Sequence, residues 1–177
     1  MPDLARTVLD KCRHLLTDDL RAIDLCLARV NDDDFWWRPN EASNGIGHLL
    51  QHLNGNLAEW IIGGVDGRPF VRNRATEFVT GPATRSDVWL ALQATVDDVN
   101  GVFTRLDESA LVSRRTIRGL DVSVLEAILH VVHHFGEHAG QIILLTKLRT
   151  GTDLGLMSRR SLSVPRVSPQ CTSLMPR

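Results

Sequence analysis

Apolar residues recur every three or four positions through four separate stretches of this chain, the spacing of helices that each bury one face. The first stretch covers about residues 3–30, where Leu9, Cys12, Leu16, Leu20, Ile23, Leu27 and Val30 share a side. The acidic run Asp32–Asp34 and the helix-breaking Pro39 are expected to end it. The second runs from about Ile46 to Ile62, with Asn44 read as its cap and Gly63-Gly64 as its stop. Its face is Ile46, Leu49, Leu50, Leu53, Leu57, Trp60 and Ile61. A third begins near Ser86 and carries Trp89, Leu92, Val96, Val99, Phe103 and Leu106. The fourth opens on Ser123-Val-Leu-Glu126, a capping-box pattern, and continues to about Arg149. Lys147 and Arg149 suit the negative end of its dipole, and Gly151 closes it.

The connections refine this picture. Residues 63–85 form a long link between the second and third helices, long enough to cross the whole bundle and let those helices run parallel. The link 107–122 contains RRTIRGLDVS, which reads as a short turn or hairpin. From Gly151 the chain is rich in Ser and Pro and poor in acidic residues, so little regular structure is expected there. The reading is an all-α four-helix bundle over 1–150 with a long crossover between its second and third helices, followed by an irregular tail over 151–177.

Composition bounds the function. A length of 177 residues suits one domain, and 43% hydrophobic residues supply a core. Twenty basic residues against 21 acidic ones argue against a uniformly basic nucleic-acid binder and against a disordered acidic chain. No apolar run reaches the roughly 18–20 residues that cross a bilayer, and the first ten residues do not read as a secretory signal. Cys12 and Cys26 fall on one helix, about 21 Å apart along its axis, beyond the reach of a disulfide. Cys171 lies in the tail. Reduced thiols in a cytoplasm are the expectation.

Seven histidines stand out, and their placement is uneven. His14 is alone, His48 and His52 share the second helix, and His130, His133, His134 and His138 share the fourth. At about 100° per residue, His134 and His138 border the apolar face of the fourth helix. His130 turns roughly 40° further outward, and His133 further still. On the second helix His52 is nearer the apolar border, with His48 roughly 40° beyond it. One imidazole from the second helix and an i, i+4 pair from the fourth then converge as three neutral donors, which leaves a position for water or substrate. Half-buried polar histidines on a bundle are the alternative.

The stretches SNGIGHLLQHLNGNLAEWI (43–61), RNRATEF (72–78) and HHFGEHAGQIILLTK (133–147) together resemble the DinB/YfiT-like superfamily of four-helix-bundle candidate metalloenzymes, and within it a branch of small bacterial proteins without assigned function. The likeness extends over about 10–149. It implies a divalent metal held by a histidine of the second helix and an HxxxH pair of the last, here His52, His134 and His138. It also implies the long crossover and homodimers. The ending LSVPRVSPQ departs from the family pattern, which has a glycine where this chain has Val167.

Other residues carry weaker signals. Trp36-Trp37-Arg38-Pro39 reads as packing over the bundle end. Asn56, one turn after His52, reads either as a helper for metal-bound water or as a surface amide. Glu137 reads as solvated or as a partner for a histidine N–H, and Gln141 as a similar partner. Arg72 and Arg74 read as solvated, with anion binding as the alternative. Gly-rich phosphate loops, a GxSxG elbow, CxxC pairs and Glu-x-x-His motifs are absent from the sequence. The expected function is therefore metal-dependent: a three-histidine enzyme that activates a small thiol or water, working on a small-molecule substrate and not on nucleic acid or membrane. The other class is a non-catalytic metal-binding or stress-associated interaction protein. Zn or Ni is expected, with Fe or Cu also compatible with three imidazoles.

Overall fold

The computed structural model describes residues 3–81 and 83–156, so the tail beyond 156, with Cys171 and Val167, lies outside the described residues. Helix α1 spans Leu4–Leu27, started by Asp3, whose side chain accepts from the Ala5 N–H at 3.0 Å. The acidic run does not merely end this helix. It forms its own, α2 (Asp32–Trp36), because the Asn31 side chain caps Asp34 and three aspartates occupy the positive end of the new dipole. Helix α3 spans Ile46–Leu57 and continues through Ala58–Val65 in wider π-helical turns. Gly63-Gly64 therefore stop nothing, and the chain turns at Gly67, whose φ of 72° places it in the left-handed region. The cap of α3 is Gly45 rather than Asn44, and the His48 ring accepts the Gly45 N–H at 3.1 Å.

A single 3₁₀ turn, Arg74–Phe78, lies in the crossover. Helix α4 (Arg85–Arg105) is capped by Thr84, two residues before the expected Ser86, through a reciprocal box with Asp87. A short α5 (Glu108–Val112) leads to the hairpin β1 (Arg114–Ile117) and β2 (Leu120–Ser123), paired antiparallel with Ile117 opposite Leu120. Helix α6 spans Val124–Thr150, opened by the Ser123–Glu126 box and closed by Gly151 in the left-handed region.

The long helices α1, α3, α4 and α6 form the bundle: α1 packs on α6 and α4, and α3 packs on α4 and α6. Two-stranded pairing in the hairpin is the only sheet among the described residues, so the fold is all-α. The expected faces are the ones that close the core. Leu9, Leu16 and Ile23 of α1, Leu50 and Leu53 of α3, Leu92 and Phe103 of α4, and Phe135 and Ile142 of α6 are all buried. Leu20, Trp89 and Leu106 sit at its margin, half-buried. Cys12 and Cys26 are free and buried. Trp36 packs on the His48 ring at 5.2 Å, and Arg149 lies 4.9 Å over the Trp37 ring while pairing with Asp34, so this end of the bundle is closed by aromatic contact as the sequence implies. No described helix is long and apolar enough to cross a membrane.

The hairpin is seated on the π-helical turns. Ile117 is buried, and its side chain fills the space where Gly64 has no Cβ. Gly64→Ala is therefore expected to push the hairpin outward and to cost about 1–3 kcal/mol, the range for overpacking a tight contact. Urea unfolding of the variant measures it, with no loss of helical signal in the native baseline.

Candidate metal centre

His52, His134 and His138 meet between α3 and α6. One nitrogen from each lies within 4.8 Å of the other two, and His52 Nε2 is 2.9 Å from His134 Nε2. Ring centroids are 5.0 Å apart for His52–His134, 5.2 Å for His52–His138 and 4.4 Å for His134–His138. Helical geometry explains the meeting: His134 and His138 are one turn apart on α6, and His52 faces them from α3. Among the described residues no fourth histidine, cysteine or carboxylate joins the cluster.

The outer nitrogens have partners that assign the protons. His52 Nδ1 lies 2.8 Å from Glu77 Oε2, and both groups are buried. Arg72 Nη2 is also 3.1 Å from that nitrogen, but it donates to Glu77 Oε2 at 2.8 Å and to the His52 carbonyl at 3.3 Å, which occupies both its hydrogens. His52 Nδ1–H therefore donates to Glu77, leaving a lone pair on Nε2. His138 Nδ1–H likewise donates to Gln141 Oε1 at 2.8 Å, and His138 Nε2 is buried without a partner. His134 Nδ1 has Glu137 Oε2 at 3.9 Å. Two lone pairs, and a third once His134 turns its proton toward Glu137, point into one small space. Such an arrangement is repulsive for bare imidazoles and favourable around a cation. The donor set and the orphaned His138 nitrogen fit a divalent metal ion.

Behind His52 lies a buried ion-pair network supplied by the crossover. The Arg72 side chain is only 5% exposed and grips Glu77 with two parallel bonds, Nε to Oε1 at 2.5 Å and Nη2 to Oε2 at 2.8 Å. Its third nitrogen donates to Glu59 Oε2 at 2.8 Å. Burial alone would lower the Arg72 pKa, but the bonds to Glu77 and Glu59 raise it, so the guanidinium is firmly charged. The expectation of a solvated Arg72 is thus corrected: its partners Glu77 and Glu59 remove it from water. Arg74 remains exposed, 5.8 Å over the Phe78 ring. Room for the Glu77 carboxylate comes from Gly55, where any Cβ would collide with Glu77 Oε1.

The other histidines separate as follows. His130 is exposed at residue level but not idle: its ring stacks parallel to His134 at 5.7 Å and packs on Trp60 at 4.2 Å. His133 is exposed beside Glu137, at 3.3 Å. His14 is exposed. His48, expected to point further outward than His52, is instead fully buried. Trp36 and Thr80 cover it, and its Nδ1 caps α3, so the stripe of α3 is widened by elements that one helix cannot reveal. Asn56 is buried, not a surface amide. Glu77 was not singled out from the sequence. The signal for it was the RNRATEF stretch, in which Arg72 and Glu77 stand five apart inside what reads as a solvated linker.

The profile of a protein family described as proteins of unknown function, DUF1572, matches residues 3–168. The chain belongs to this family. Comparison with curated proteins returns no match. Among solved structures, a DinB-like protein, YjoA, from Bacillus subtilis is similar at 13% identity, with a TM-score of 0.61 over 81% of this chain and 94% of that one. At that identity the likeness concerns the fold, which is DinB-like.

Burial, with the neighbouring His138 and His52 adding to it, holds the His134 pKa down to about 3, and burial also lowers that of His52 despite Glu77. The unfolded chain protonates these rings near pH 6.5, whereas folded His134 refuses the proton until about pH 3. Between those values the unfolded state holds more protons, so stability of the metal-free protein is full above pH 6.5 and falls as pH drops toward 3. Denaturant midpoints across that range check this, and His134→Gln is expected to flatten the slope. Glu77→Gln is expected to cost on the order of 3 kcal/mol by leaving buried Arg72 short of charge. The same variant is expected to weaken metal affinity by about 10–100-fold, since His52 loses its orienting carboxylate. Competitive chelator titration measures the second effect.

Proposed function

We propose that this protein is a mononuclear divalent-metal enzyme whose ion is held by His52, His134 and His138. The observation that carries the reading is the convergence of three inward imidazole nitrogens, one orphaned in the buried centre, with the outer nitrogens of His52 and His138 held by Glu77 and Gln141. Neutral imidazoles favour Zn or Ni, with Fe or Cu also accepted. A divalent ion in such a site supplies Lewis acidity, lowering the pKa of a small thiol or water at its open position.

The protein's own residues do the rest. Glu77 takes the His52 Nδ1 proton's hydrogen bond and thereby keeps Nε2 free and aimed inward. Gln141 does the same for His138. The apolar wall of the bundle limits water on one side, while the partial exposure of His134 and His138 leaves an approach on the other. Three protein donors, with no fourth among the described residues, favour catalysis over simple storage of metal. The activity is read as transfer or hydrolysis at a small electrophile. A second copy of the chain is the proposed partner, making a homodimer.

Elemental analysis of the purified protein is expected to give about one divalent metal per chain under the three-ligand reading. His52→Ala, His134→Ala and His138→Ala should each lose it, whereas His133→Ala and His130→Ala should retain it. Full metal content in the first three variants defeats the assignment. A screen of thiols and electrophiles then separates enzyme from binder: the rate should depend on metal and vanish in His138→Ala with the bundle still folded.

A further inference from the structure

A ligand ring that is free to rotate must lose that freedom when it is held on an ion, so affinity depends on what fixes each ring beforehand. Two of the three are fixed by hydrogen bonds at their outer nitrogens: His52 by Glu77 at 2.8 Å and His138 by Gln141 at 2.8 Å. His134 is different. Its Nδ1 lies 3.9 Å from Glu137 Oε2, beyond hydrogen-bond distance. The Glu137 side chain is 54% exposed and also stands 3.3 Å from His133, so nothing holds it against His134. On the inner side His134 Nε2 meets His52 Nε2 at 2.9 Å. That contact joins two of the ligands, and it cannot steady either ring once both donate to a cation.

Stacking takes the place of the missing bond. His130, one turn earlier on α6, lies parallel to His134, with 9° between the ring planes and 5.7 Å between centroids. His130 in turn packs on Trp60, at 4.2 Å and 41°. Trp60 is 5% exposed and is carried by the π-helical turns that extend α3. One end of the stack is therefore anchored in the core, and the other end is a ligand. His52 and His138 meet the same His134 ring edge-on, at 81° and 76°. Rotation of His134 about its last torsion would break the parallel overlap and both edge contacts together.

His130 has little other reason to be held in this way. It is exposed, so its packing adds little to the core, and it does not belong to the group whose nitrogens converge.

We infer that His130, anchored on Trp60, is a positioning residue of the metal centre, whose ring face sets the plane of His134, the ligand with no hydrogen bond on its outer nitrogen among the described residues. This inference rests on the metal-centre reading above. The role concerns affinity and ligand geometry rather than stoichiometry, so His130→Ala still takes up its metal at saturation. A planar face is what acts, so another flat ring can replace the imidazole.

The test uses cobalt as the probe, with affinity measured by chelator competition at about pH 8, where free imidazole is neutral. The visible bands of the bound ion report the ligand geometry. His130→Ala should bind cobalt about three- to tenfold more weakly than the wild type, the range that an aromatic pair supplies, with displaced bands. His130→Phe should restore both affinity and spectrum; phenylalanine cannot bind a metal, so rescue excludes His130 as a ligand. His133→Ala, which removes an exposed neighbouring imidazole outside the stack, should match the wild type. Melting of the metal-free proteins is followed in parallel, because a merely structural ring would move the melting temperature and leave cobalt affinity and spectrum unchanged. Equal affinity in the wild type and His130→Ala, no rescue by His130→Phe, or an equal loss in His133→Ala overturns the positioning role alone. Failure of the wild type to bind cobalt at the histidines removes the metal-centre reading and this inference with it.

Discussion

A buried ion pair between Arg72 and Glu77 is the constraint on which the site depends. Two charges taken out of water are tolerated only when geometry and hydrogen bonds are nearly complete. Here Arg72 makes parallel bonds to Glu77 and a further bond to Glu59, and Glu77 spends its remaining capacity on the His52 ring. The pair ties the crossover to α3, and Gly55 is the gap in that helix through which the carboxylate can approach. An imidazole whose outer nitrogen is held in this way has one tautomer and one direction.

That constraint links architecture to chemistry. The bundle supplies two helices that face each other, and a one-turn spacing supplies two histidines on one of them. What converts three nearby rings into a donor set is proton placement, decided by Glu77 and Gln141 outside the cluster. Burial works in the same sense, since it opposes the charged imidazolium and keeps His134 neutral down to about pH 3. Acid sensitivity and the fit of the cluster to a divalent ion therefore have one physical origin: rings packed so that accepting a proton is costly and donating a lone pair is not.

The crossover and the hairpin, which look like connections, are the elements that specialise this bundle. One brings Arg72 and Glu77 to the back of His52. The other seats Ile117 on the π-helical turns and brings Arg118 to 3.7 Å from Glu59, the carboxylate that also holds Arg72. Both are short on apolar periodicity, and both hold charges whose value depends on what covers them.

The repeating apolar positions determined the four long helices, because a helix that must bury one face writes its period into the chain. The Ser123–Glu126 box and Gly151 marked the ends of α6 for the equally local reason that caps are chosen by nearest neighbours. His52, His134 and His138 were legible because α3 and α6 are regular and 100° per residue can be counted along each. Tertiary structure alone decided the rest. Asn31 restarted a helix in the acidic run, and the turns past Leu57 carried the chain through Gly63-Gly64. His48 was buried by Trp36 and the crossover, against its position on the helical wheel. Arg72 and Glu77 read as linker residues because burial of a charge is a property of its surroundings. Those surroundings came from segments distant in sequence, and no local pattern encodes which of them will close over a given side chain.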